Sequence, residues 1–145
     1  MSLTIDIMED AYNAMLQSGQ LYNRVGGRIK PGFADTDEIT PYITFWPVAT
    51  TSTNWAMTAA GPQAEEKIRM QFDIYTDART QPSPVEAFEI ADDMEQVFDW
   101  LTRSGGKYNN ATFRREQYRP SREEQYWRLT ADYLVMIWAK TPVNN

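Results

Sequence analysis

The run from Gln125 to Ala139 limits the fold more than any other part of this chain. Trp127, Leu129, Ala131, Tyr133, Val135 and Ile137 fall on alternate positions, the two-residue repeat of a β-strand with one buried face. The opposite face changes along the way, from Tyr126, Arg128, Thr130 and Asp132 to Leu134, Met136 and Trp138. Such a strand needs cover on one side at its start and on both at its end. It cannot stand alone, because a strand or a lone hairpin is marginal in water.

Other segments offer it partners. Residues 65–76 alternate Ile68, Met70, Phe72 and Ile74 with Lys67, Arg69, Gln71 and Asp73, a strand with one buried and one wet face. Tyr42 to Val48 is a third strand, apolar on both sides, in which Pro47 marks an edge or a bulge. Thr112–Tyr118 pairs with the last strand in a hairpin expected to turn at Pro120-Ser121. Two segments carry a 3.6-residue period. Residues 4–17 place Ile5, Met8, Tyr12, Met15 and Leu16 on one helix face, with Thr4 as the expected N-cap and Gly19 as the stop. A short turn carrying Leu21 and Val25 follows, and Gly26-Gly27 and Pro31-Gly32 are read as turns.

Residues 82–101 form the second helix. Ser83-Pro84-Val85-Glu86 combines an N-cap, a first-turn proline and a capping-box glutamate, and Ser104-Gly105-Gly106 supplies the stop. Its stripe is Ala87, Ile90, Ala91, Met94, Val97, Phe98 and Leu101. The order of elements gives one α+β domain over residues 1–145, a mainly antiparallel sheet with two helices packed on one face. Residues 49–64 contain no charged side chain, and they read as a long inter-strand loop or arm.

What the chain can do chemically is narrowed by what it lacks. It has no His and no Cys, which removes the Ser-His and Cys-His triads, thiolate nucleophiles and His- or Cys-ligated metals. Asp35, Asp37 and Glu38 share a loop but miss the spacing of an EF-hand, so they are read as solvated acids; no metal or other cofactor is expected. The glycine pairs match neither the dinucleotide fingerprint nor the P-loop. With a net charge of −6 the chain is poorly suited to gripping nucleic acid. Arg114, Arg115, Arg119, Arg122 and Arg128 lie among Glu116, Glu123 and Glu124, so inter-strand salt bridges or charged partner contacts are their expected role. No secretion signal or membrane-length apolar run is present, and synthesis and assembly in a cytoplasm are expected.

Aromatic residues make up 13% of the chain, more than the expected core consumes. Phe88 and Trp100 fall on the acidic side of the second helix, Trp55 and Met57 in the uncharged segment, and Trp138 on the two-faced end of the last strand. These five are candidates for a subunit interface, and self-association is the economical expectation.

The order of these features resembles the tail terminator, or tail completion, proteins of long-tailed bacteriophages and prophages. The resemblance rests on Leu21 to Gly32, on Thr40-Pro41-Tyr42-Ile43-Thr44-Phe45, on Arg69-Met70-Gln71-Phe72-Asp73-Ile74-Tyr75-Thr76, on the Ala87–Leu101 helix and on the Tyr126–Trp138 strand. It implies a non-enzymatic virion protein forming a ring, commonly of six copies, at the head-proximal end of the tail. Such a ring stops growth of the tail tube and docks the head connector; its partners are the tube protein and the connector or stopper protein. DNA passes through the lumen without specific binding, and no membrane is involved. The polar strand face of Lys67, Arg69, Gln71 and Asp73 is then a candidate lumen wall. Another head–tail connector protein is the nearer alternative, and a small carboxylate-based enzyme or ligand-binding module the more distant one.

Overall fold

The computed structural model describes residues 3–34, 38–58, 61–80, 83–98, 102–103 and 108–140; side chains are described for these except at 3, 51–58, 61–65, 102–103, 108–110 and 138–140. Within them the chain is α+β. It runs through helices α1 (Leu3–Gln17) and α2 (Gly19–Val25), and strands β1 (Ile29–Pro31), β2 (Tyr42–Thr58) and β3 (Gly61–Asp77). Helix α3 (Val85–Phe98) and strands β4 (Thr102–Arg103), β5 (Tyr108–Arg122) and β6 (Tyr126–Lys140) follow. The six strands are ordered β1-β2-β3-β6-β5-β4, with β1 parallel to β2 and every other pair antiparallel.

The last strand takes the central place its pattern demanded, between β3 and β5. Its apolar face meets Ile68, Met70, Phe72 and Ile74 of β3 and Ala111 and Phe113 of β5, all buried. The helices close this layer. Phe72 stacks on Phe45 at 5.5 Å, and Phe98 of α3 stacks on Phe113 at 4.9 Å. Tyr133 meets Phe72 and Phe98 edge-on at 5.4 and 5.5 Å, and Tyr12 of α1 extends the cluster to Phe45. Close-packed rings in these offset and edge geometries add to the free energy of burying their area.

Four expectations need correction. Residues 49–58 and 61–64 are strand, not loop: β2 runs on to Thr58 and β3 begins at Gly61, paired as far as Thr58↔Gly61, and residues 59–60 lie outside the described residues. The segment's Thr-rich, uncharged composition suits a strand without alternating in hydrophobicity. The turn of the last hairpin is not at Pro120-Ser121 but at Glu124-Gln125, closed by Glu123 and Tyr126 exchanging backbone hydrogen bonds at 2.9 and 3.3 Å. Pro120 sits inside β5, on a stretch that β4 does not reach, where no ladder donor is lost.

Third, the short turn at Leu21–Val25 is a helix. Gly19 starts it rather than stopping α1, because the Ser18 hydroxyl accepts from the Leu21 N–H at 3.3 Å and caps a new N-terminus. Gly26 ends it at φ +60, with its N–H donating to the Tyr22 carbonyl at 2.7 Å. Fourth, α3 begins at Val85 rather than at residue 82 and is described as far as Phe98, and Thr102–Arg103 pairs with Ala111 and Thr112; residues 99–101 and Ser104-Gly105-Gly106 lie outside the described residues. Pro47 behaves as expected. The ladder with β1 has ended at Phe45, and the register slips between Pro47 and Ala49.

Candidate assembly surface

The helices lie against one face of the sheet, and the chemistry of interest is on the other. Strand pairing arranges that outer face in rows. Tyr42, Tyr75, Arg128 and Ser121 form one; Thr44, Asp73, Thr130 and Arg119 the next; then Trp46, Gln71, Asp132 and Gln117; then Ala49, Arg69, Leu134 and Arg114. Directly opposed side chains in such rows stand close enough to bond.

Asp73 is the centre of this face. Its side chain is fully buried, and it accepts from Thr130 Oγ1 at 2.6 Å, from Arg128 at 3.0 Å and from Gln71 Nε2 at 3.1 Å. Burying a carboxylate is costly unless it is paired and hydrogen-bonded, and here both conditions are met. Arg128 also contacts Glu123 at 3.3 Å and lies 5.8 Å from the Tyr75 ring centre. Its pKa is raised, first by the hydrogen bond to Asp73. As a lumen-wall candidate Asp73 is therefore withdrawn, since its charge is spent inside the subunit.

Lys67, Arg69 and Gln71 keep their expected face. Arg69 is exposed and pairs with Glu116, spanning the intervening β6. Leu134, in register between Arg69 and Arg114, is 8% exposed. The apolar end of the outer face is thus partly shielded by an ion pair rather than by a second layer.

Beside Asp73 the outer face opens into a hollow of about 390 Å³ at the β1–β2 edge. Phe33, Tyr42, Trp46, Tyr75 and Tyr126 line it, with Thr44, Glu123 and Arg128 as its polar groups. Tyr42 stacks on Tyr75 at 4.7 Å, and Tyr126 meets Tyr75 edge-on at 6.2 Å. Burial, followed by the neighbouring Tyr75, pushes the Tyr42 hydroxyl up to about 12. Phe33 is 91% exposed and 6.1 Å from Trp46. Gly32 makes this rim possible: at φ +90 it turns the chain out of β1, and its N–H donates to the Phe45 carbonyl at 2.8 Å. Sequence reasoning missed Phe33, although a bare aromatic directly after Pro31-Gly32 was a visible signal.

The expected interface residues divide. Phe88 is withdrawn, because it is half-buried, packs on the core and meets Tyr118 edge-on at 6.2 Å. The β5 bulge between Arg115 and Gln117 puts Tyr118 opposite Ala131, under α3, where its hydroxyl lies 3.3 Å from the Ala91 carbonyl and 3.2 Å from Glu95. Trp55, Met57 and Trp138 lie on strands, opposite Ala64, Pro62 and Glu65, but their side chains are outside the described residues, as is Trp100 entirely. Asp35 and Asp37 are also outside them, and no group of acids able to hold a metal occurs among the described residues. The β5 arginines do form salt bridges, Arg115 to Glu95 and Arg119 to Asp132. No helix among the described residues is long and apolar enough to cross a membrane.

No protein-family model matches the chain, and no curated protein matches it. Solved structures do. A chain from a structure described as the virion of a native gene transfer agent particle is 15% identical, with a TM-score of 0.59 over 88% of this chain and 91% of its own length. A second solved chain, whose description states no function, is 15% identical with a TM-score of 0.52, covering 97% of this chain and 98% of itself. At these identities the likeness is one of fold.

Proposed function

We propose that this chain is a non-enzymatic structural protein of a phage-type particle. It assembles as a ring at the head-proximal end of the tail, ends growth of the tail tube and offers a docking surface to the head connector. The observation that carries this reading is the fold shared, along nearly the whole of both chains, with a component of a gene transfer agent virion. The molecule's own chemistry suits it. The one buried carboxylate among the described residues is spent on internal bonds. The outer sheet face, free of helices, is the natural contact or lumen surface, and Lys67, Arg69 and Gln71 would present mixed polarity to passing DNA. Trp55, Met57, Trp100 and Trp138 remain candidates for contacts between copies, with the tube protein and the connector as further partners.

Particles assembled without this protein test the role. Tubes of uncontrolled length that fail to join heads are expected. Tails of normal length beside heads that leak DNA would replace this reading with that of another connector ring, and normal particles would remove both.

A further inference from the structure

The hollow at the β1–β2 edge is matched by the opposite edge of the same sheet. Its walls are five aromatic rings whose faces carry negative potential, and Glu123 stands beside its single guanidinium, Arg128, whose charge Asp73 already meets from within the sheet. Such a site favours a further cation. Across the sheet, β5 carries four arginines against one glutamate. Arg115 is turned to the helix layer by Glu95 and Tyr118, and Arg122 rests 5.7 Å from Trp127. Arg114 and Arg119 instead belong to rows of the outer face, the face on which the hollow opens. Both are exposed, and Arg114 has no ion-pair partner among the described residues.

Arg119 is held by Asp132 of its own subunit, whereas Arg114 stands three strands from β2 and six residues along β6 from Arg128, about 20 Å and too far to enter the hollow of its own subunit. A repeated sideways step brings β5 of one copy beside the β1–β2 edge of the next, and a head-to-tail contact of that kind closes into a ring when its rotation is right. We propose that the hollow receives Arg114 of a neighbouring copy. The guanidinium is held over the rings beside Glu123, with Phe33 folded over it as the rim. This rests on the ring reading and specifies its contact.

The absence of native cysteine makes a clean test. The double variant Phe33→Cys with Arg114→Cys is oxidised after assembly and run without reductant. Strands β2 and β5 are about 14 Å apart at ordinary strand spacing, beyond the roughly 7 Å reach of a disulfide, so only links between copies form. A ladder of dimer, trimer and higher species from the double variant is expected, with no ladder from either single variant. Rings that form without a ladder overturn this contact and spare the ring. Protein that stays monomeric at every concentration, with no ladder, overturns both. As a second measurement, Phe33→Ala is expected to raise the concentration of half-assembly roughly tenfold. Its denaturation midpoint should not move, because the ring is exposed in the subunit. An unchanged assembly concentration would remove Phe33 from the contact.

Discussion

The two faces of the sheet use aromatic residues for opposite ends. On the helix side Phe45, Phe72, Phe98, Phe113 and Tyr133 fill a dry layer with no charge among them. On the outer side Tyr42, Trp46, Tyr75, Tyr126 and Phe33 surround a salt bridge and leave a hollow. The lesson is that ring count alone does not locate a core. What separates the faces is whether neighbouring rows bring more rings or bring Asp73 and Arg128.

Substitutions on the two faces should therefore fail differently. The largest loss is expected for Phe72→Ala, about 4 kcal/mol of unfolding free energy by denaturant titration, because a large buried ring leaves a cavity that helix and sheet cannot fill. A loss below about 1 kcal/mol would mean the inner layer is loosely packed. Asp73→Ala comes next at about 3 kcal/mol, for a different reason: it strands a partly buried guanidinium and the Thr130 hydroxyl. Replacing Arg128 by Met in that background should recover part of the loss. No recovery would show that the cost lies elsewhere. Phe88→Ala should cost about 2 kcal/mol with assembly otherwise intact, since Phe88 packs on Tyr118 within the subunit. Unchanged stability with weakened assembly would restore it as an interface residue.

The smallest effect concerns pH. Burial raises the hydroxyls of Tyr42 and Tyr118 to about 12, from the ordinary value near 10. The unfolded chain then ionises first, so their contribution is fully present below pH 10 and is lost as pH rises from about 10 to 12. Each is expected to remove up to about 2 kcal/mol over that window, and Tyr42→Phe should flatten its share. A wild-type pH slope retained in that variant would deny Tyr42 a part.

Much of the inner face was legible in the sequence, because alternation in residues 65–76 and 125–139 and the 3.6-residue stripe of α3 report directly on burial. Ser83 and Pro84 fixed the start of α3, and the Val85 N–H does meet Ser83 Oγ at 3.3 Å. The outer face was less legible. Asp73 alternates like a solvent-facing residue, and what buries it comes from Arg128, 55 positions away, and from rows set by register. Phe88 lies off the helix stripe only until the β5 bulge brings Tyr118 beneath it. Residues 49–58 lacked any alternation, so their strand depended on the length of β3 opposite them. The hollow was hidden for the same reason: its five rings come from four separate stretches that only pairing brings together.

Ring formation is tested most directly by negative-stain microscopy of the purified protein at high micromolar concentration. Closed rings with a central hole wide enough for a DNA duplex are expected, and a field of monomers or of two-fold dimers at that concentration would contradict them.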